Sequence, residues 1–228
     1  MCTLAHVFEA AGLSTLVLTP LRRIAERMGV PRALYTDFPL GLSLGKPDDK
    51  EFQTQVMLSA FELLKETKGP VIRDFSVSIS ATDSEPLNCA LPARLNPDLH
   101  PAVDEAQALK AAYQRALEKR KKTSVGMRIS AVDIPNALAK FAQIAEGEHW
   151  ETLGFSVESI YGTVHDIRSY YEELACELAE VPIEPWATEQ WFYEQTEAGD
   201  VVLKARRAMR DKHVAQEVWF GLAPAGRE

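Results

Sequence analysis

At 228 residues, the chain has material for one good hydrophobic core or two modest ones. Its composition, 46% hydrophobic and 25% charged, is that of an ordinary soluble globular protein. A formal net charge of −8 argues against nucleic-acid binding, which needs a basic surface. No apolar run approaches the roughly 20 residues of a membrane span. The N-terminus lacks the basic start and apolar core of a signal peptide, so a cytoplasmic location is expected. The three cysteines are widely spaced and form no disulfide framework, so each is judged as a thiol.

Residues 3–11 read as a short helix with Leu4, Val7, Phe8 and Ala11 on one face, stopped by Gly12. "LSTLVLT" follows, apolar and β-rich, as suits a buried parallel strand. Pro20 opens "LRRIAERMG", a second helix closed by Gly29. Ala33 to Phe38 is the second strand. Asp48 and Glu51 then have capping-box spacing at the head of a helix carrying Phe52, Val56, Ala60, Leu63 and Leu64 and running to Thr67. The order helix–strand–helix–strand–helix over residues 1–68 is one piece of a doubly wound, Rossmann-like α/β layer.

Residues 69–101 change character. Prolines recur at 70, 86, 92, 97 and 101, with only a weak strand signal around Val71 to Ile79, which reads as an irregular connection. From 102 to 228 the chain is helical. Val103, Ala106, Leu109, Tyr113, Ala116 and Leu117 keep a helical period, and Ile134 to Ala145 is a shorter helix. The clearest stripe is Val157, Ile160, Tyr161, Val164, Ile167, Tyr171, Leu174 and Leu178. "TEQWFYEQT" and "AGDVVLKARRAMR" supply two more pieces. The basic run Lys119 to Lys122 closes a helix, where cations suit the dipole. Two strands make a narrow sheet, since sheets usually have four or more. Either residues 69–101 supply further strands or a second chain, in a homo- or hetero-oligomer, completes the sheet and covers its edge, and the second is the expectation.

The stretch "AGLSTLVL … IAERMGVPRALYTDFPLGLSLGKPDDKEFQTQVMLSAFELL", residues 11 to 64, resembles the C-terminal segment of the selenoprotein B component of glycine, sarcosine and betaine reductases. "AGLST", "MGVPRA", "FPLG", "LGKP" and the helix from Phe52 stand where that family has its strands, turns and Pro-Gly loop. The likeness spans about a quarter of the chain. It implies reductive cleavage of a carbon–nitrogen bond in a small organic substrate by a selenolate or thiolate of a U-x-x-C or C-x-x-C motif. This sequence has neither motif, and only Cys2 lies near the place of the motif's last cysteine. The resemblance thus implies a reductase component that takes its redox motif from a thiol- or selenol-bearing partner chain. The alternative is a non-catalytic assembly or ligand-binding subunit that keeps the α/β fragment.

Several side chains are candidates for chemistry. Cys2 stands at the first helix's N-terminus, where the dipole and free N–H groups favour a thiolate, and His6 lies four residues on, the spacing of a Cys–His pair. Cys89 lies in the connection, either as an exposed thiol or as a small buried hydrophobe. Cys176, between Leu174 and Leu178, reads as core or boundary. Asp37 is near the carboxyl end of a strand, the usual ligand side of an open α/β sheet, where it would orient a substrate ammonium, act as acid or base, or cap a turn. Pro39, Gly41 and Gly45 form a loop that lets backbone approach a ligand closely. No G-x-G-x-x-G or Walker pattern is present, so no nucleotide cofactor is expected. His100, His149, His165 and His213 lack metal spacing. Tyr161, His165 and Arg168 share one helical side, as a cleft lining or as a surface cluster.

Overall fold

The computed structural model describes residues 1–79, 87, 89–179, 183, 186–224 and 227. The chain divides into two compact units, Met1–Glu85 and Pro86–Glu228, so the boundary falls inside the connection at 69–101. Of the recurring prolines, Pro86 lies outside the described residues.

The first unit runs α1 (Cys2–Ala10), β1 (Val17–Thr19), α2 (Arg22–Met28), β2 (Arg32–Tyr35), α3 (Lys50–Glu62), a 3-10 turn (Leu63–Lys65) and β3 (Val71–Asp74). The strands form one parallel sheet in the order β1–β2–β3, with Val17 opposite Ala33 and Ala33 opposite Ile72. The third strand corrects the reading of 69–101 as an irregular connection. It also means that the chain supplies part of the width expected from a second chain. The strand signal at Val71 and Ile72 was weak because Arg73 and Asp74, exposed at the sheet's outer edge, break the apolar pattern. Ala33 and Leu34, neighbours on β2 and so on opposite faces, are both fully buried. Among the described residues β1 and β3 have no further strand on their outer sides.

Local chemistry sets the ends of the helices. Gly29 ends α2 with a left-handed backbone, φ 58°. The cap of α3 is one residue later than the capping-box spacing indicates: Asp48 turns the chain at φ 63°, and the Asp49 carboxylate accepts from the Phe52 N–H at 3.1 Å. Helices α1 and α2 enclose a small cluster built on Ala5, Val17, Ala25, Val30 and Ala33. This reverses the expected orientation of α1, because Leu4, Val7 and Phe8 are exposed, as are Leu21, Ile24 and Met28 around α2. Glu9, at the end of α1, accepts from the Thr15 N–H and pairs with Arg32 at 2.7 Å, and the Arg32 Nε–H donates to the Glu66 carbonyl.

The second unit is a helical bundle: α4 (Pro101–Ala108), α5 (Lys110–Arg120), α6 (Ile134–Glu146), α7 (Val157–Leu178), α8 (Ala187–Gln195), α9 (Glu197–Asp211) and a short α10 (Gln216–Trp219). The period read across Val103 to Leu117 is split at Leu109 into α4 and α5. Ser156 and Ser159 cap α7 reciprocally. Its Ile160, Val164, Ile167, Tyr171 and Leu174 are buried in one cluster with Phe141, Trp191 and Phe192. Gly199 lets α9 touch α8, since a Cβ there would lie 1.9 Å from the Phe192 carbonyl oxygen.

Buried carboxylates hold this bundle's loops. Asp166 is fully buried, and its two oxygens accept from the backbone N–H groups of Gly126, Met127, Arg128 and Ile129 at 2.7–2.9 Å. Burial pushes this carboxyl up, but the four donors outweigh it and hold it below its ordinary value. One turn pair along, Glu173 accepts from the Ser124 N–H and the Thr123 hydroxyl. Glu105 on α4 accepts from the Tyr171 hydroxyl and from the Glu197 and Ala198 N–H groups, and so caps α9 from another helix.

Candidate functional site

The carboxyl ends of the three strands converge on one edge of the first unit, and ligands of open parallel sheets bind on that side. Two contacts orient α1 against the strands. Glu9 at its end meets Arg32 at the start of β2, and the His6 Nε2–H donates to the carbonyl of Met28, the last residue of α2, at 2.9 Å. The C-terminal half of α1 therefore lies at the amino edge of the sheet. Cys2 is half-buried and packs against the cluster of Ala5, Val17 and Ala25.

At that edge Arg22 opens α2. A cation is disfavoured in a helix's first turn, so the side chain needs anionic partners. It has two: its Nε–H donates to Glu26 at 2.8 Å, and its terminal nitrogen pairs with Asp74 at the end of β3. Both hydrogen bonds, first that to Asp74, push the guanidinium's pKa further up. Its carbon stands 5.5 Å from the centre of the Tyr35 ring. The Tyr35 hydroxyl donates to Asp37 at 3.2 Å, and burial together with the Asp37 charge pushes the phenol above its ordinary range. The cluster sets one guanidinium against three carboxylates, Glu26, Asp37 and Asp74. Such an edge favours a small ligand carrying positive charge, with the exposed Asp37 as its partner.

The Pro-Gly loop borders this edge. Pro39 and Leu42 carbonyls accept from the Leu42 and Gly45 N–H groups in consecutive turns. Gly41 and Gly45 take φ values of 101° and 99°, which L side chains rarely adopt. Gly45 is also required by packing, because a Cβ there would lie 2.4 Å from the Phe52 ring. Phe38, Phe52 and Phe75 meet beneath the loop with ring centres 5.6–5.9 Å apart. The loop is thus a wall built on an aromatic base.

The structure gathers Cys2, Asp37, Pro39, Gly41 and Gly45 in the first unit but does not join all the sequence candidates. His6 makes its hydrogen bond to Met28 rather than to Cys2. Cys89 belongs to the second unit, where it is 4% exposed and its thiol, pushed up by burial, faces the Ala175 carbonyl. Cys176, read as core or boundary, is exposed. Tyr161, His165 and Arg168 do share a hollow on α7, with Ser169, Glu172 and Gly221. His100 is the cap of α4, its Nδ1 accepting from the Ala102 N–H. Among the described residues no group of three or more His, Cys, Asp or Glu side chains is placed to hold a metal, and no helix is long and apolar enough to cross a membrane.

Arg22, Tyr35 and Asp74 were missed in the sequence. The available signal was Arg22 itself, a cation in the first turn of a helix that follows a strand. The chain matches no protein-family model, no curated protein and no solved structure.

Proposed function

We propose that the chain is a component of a thiol- or selenol-dependent reductase related to selenoprotein B, acting in the cleavage of a carbon–nitrogen bond in a small amine. The observation that carries this reading is the carboxyl edge of the sheet. It carries an Arg22–Tyr35–Asp37–Asp74 cluster with excess negative charge, bordered by the Pro-Gly loop, in the unit whose first helix begins at Cys2. In this reading Asp37 holds the substrate's cationic nitrogen, Tyr35 and Arg22 fix Asp37's surroundings, and the loop Pro39 to Pro47 closes one side. Cys2 provides one thiol, and a partner chain provides the redox motif that the sequence lacks.

The test is alkylation of Cys2 by iodoacetamide, read by peptide mass spectrometry with and without glycine, sarcosine or betaine. Protection of Cys2 by at least one of these amines, lost in D37N, is the expected result. If none of the three slows alkylation and none binds by calorimetry, the reading fails.

A second reading, a non-catalytic assembly module, has its own support. Leu4, Val7, Phe8, Leu21, Ile24 and Met28 present exposed apolar side chains from neighbouring helices. A stable complex in native mass measurements, together with no protection of Cys2 by any amine, would favour it.

A further inference from the structure

The three thiols are not equivalent. Cys2 belongs to the first unit, whereas Cys89 and Cys176 both lie in the second. Cys89 is buried, and its sulfur lies 3.9 Å from the carbonyl oxygen of Ala175, the residue bonded to Cys176. Cys176 is exposed and lines a hollow of about 200 Å³ with Arg120, Ser124, Ser169, Glu172 and Thr188. A buried sulfur therefore sits within a few ångströms of the backbone that carries an exposed one. The Ala175 carbonyl is bonded directly to the Cys176 nitrogen, so the Cys89 sulfur lies one peptide unit from the backbone of Cys176. The Cys176 thiol also adds to the burial that pushes the Cys89 thiol up, which is consistent with their proximity.

From this juxtaposition we infer that Cys176 and Cys89 form an oxidisable pair, with Cys176 receiving a small-molecule disulfide and Cys89 resolving it. In the first step the Cys176 thiolate attacks one sulfur of the disulfide, forming a mixed disulfide and releasing one thiolate. In the second, Cys89 loses its proton and attacks the Cys176 sulfur, and the second half of the small molecule leaves as a thiol. The sum is two protein thiols oxidised to one disulfide and one disulfide reduced to two thiols, with no other oxidant. The product ties the segment bearing Cys89 to the last turns of α7 and alters the hollow that Cys176 lines. The first step is open to solvent, and the second needs the buried Cys89 thiol to reach the Cys176 sulfur.

The experiment treats the full chain with glutathione disulfide, quenches with acid, digests without reduction and maps the peptides. In the wild type a peptide pair joined through Cys89 and Cys176 should accumulate, with little glutathione remaining on Cys176. C89A should instead hold glutathione on Cys176 at a level at least tenfold higher, and C176S should leave Cys89 unmodified. Cys2 is an internal control and should join neither. The inference is overturned if wild-type Cys176 keeps its glutathione as fully as C89A does, if Cys176 carries neither glutathione nor a link to Cys89, or if Cys2 pairs with either cysteine as readily. The wild-type map decides the matter even should C89A fold poorly.

Discussion

Arg22 and Asp74 pair across the carboxyl edge of the sheet, joining the first turn of α2 to the last residue of β3. Both side chains are well exposed, so the pair organises the edge rather than holding the unit together. Its consequence is local: the guanidinium is fixed over the Tyr35 ring, and the Tyr35 hydroxyl is directed to Asp37.

Asp37→Asn is therefore expected to weaken binding of glycine, sarcosine or betaine by about tenfold or more, roughly 1.4 kcal/mol of lost attraction. The fold should be untouched, because Asp37 is exposed and its structural link to Ile79 runs through its own backbone carbonyl. Calorimetric titration checks the first part and a thermal melt the second. Equal affinity in both proteins would remove Asp37 from the site.

His6→Ala is expected to leave the rate of Cys2 alkylation unchanged at every pH. The ring's Nε2–H is committed to the Met28 carbonyl, so its role is to join α1 to the end of α2. A fall of several-fold in the Cys2 rate, with the helix content of the chain preserved, would show that the two side chains act as a pair after all.

How far the sequence could be read depends on the scale of the feature. The α7 stripe was legible because Ile160, Val164, Ile167, Tyr171 and Leu174 repeat through many turns and all go to one core. Gly29 was legible as a helix end because its role is local. Strand β3 was obscured by Arg73 and Asp74, polar because they lie at an outer edge. On α1 the apolar residues misled, because the helix is seated through Ala5 while Leu4, Val7 and Phe8 face outward. At the site, the wall of Pro39, Gly41 and Gly45 could be seen as a loop after a strand. The Arg22–Asp74 pair could not, since it depends on which strand ends lie side by side.

Asp166→Ala should destabilise the second unit by about 3–5 kcal/mol, the scale of removing one partner from a buried charged network. Four backbone N–H groups lose their acceptors together, and the loop at 126–129 loses its anchor. The pH dependence has a definite sign. Asp166 is held below its unfolded value of about 3.9, so its contribution is complete above that pH and lost as pH falls through the lower, folded value. D166N should therefore flatten the acid side of the stability curve, as measured by urea unfolding between about pH 2 and 5. An unchanged acid limb would assign the stabilisation to other groups.

Glu105 should show the opposite slope. Burial pushes its carboxyl up, and the N–H groups of Glu197 and Ala198 and the Tyr171 hydroxyl offset that only in part. Its folded pKa thus lies above the unfolded one, so the folded state holds its proton longer. The associated stability is complete below about pH 4.3, the unfolded value, and is lost as pH rises through the folded value. Glu105→Gln keeps a carbonyl oxygen where Oε1 accepts from the Ala198 N–H and the Tyr171 hydroxyl, loses the acceptor of the Glu197 N–H, and carries no buried charge. Relative to the wild type, E105Q should gain stability as pH rises from about 4 toward 7. Glu105→Ala, which leaves the Glu197 and Ala198 N–H groups without their acceptor, should lose about 2–4 kcal/mol across that range. Parallel wild-type and E105Q curves would show that Glu105 ionises in the folded chain as readily as in the unfolded one, and that capping α9 carries no penalty for its charge.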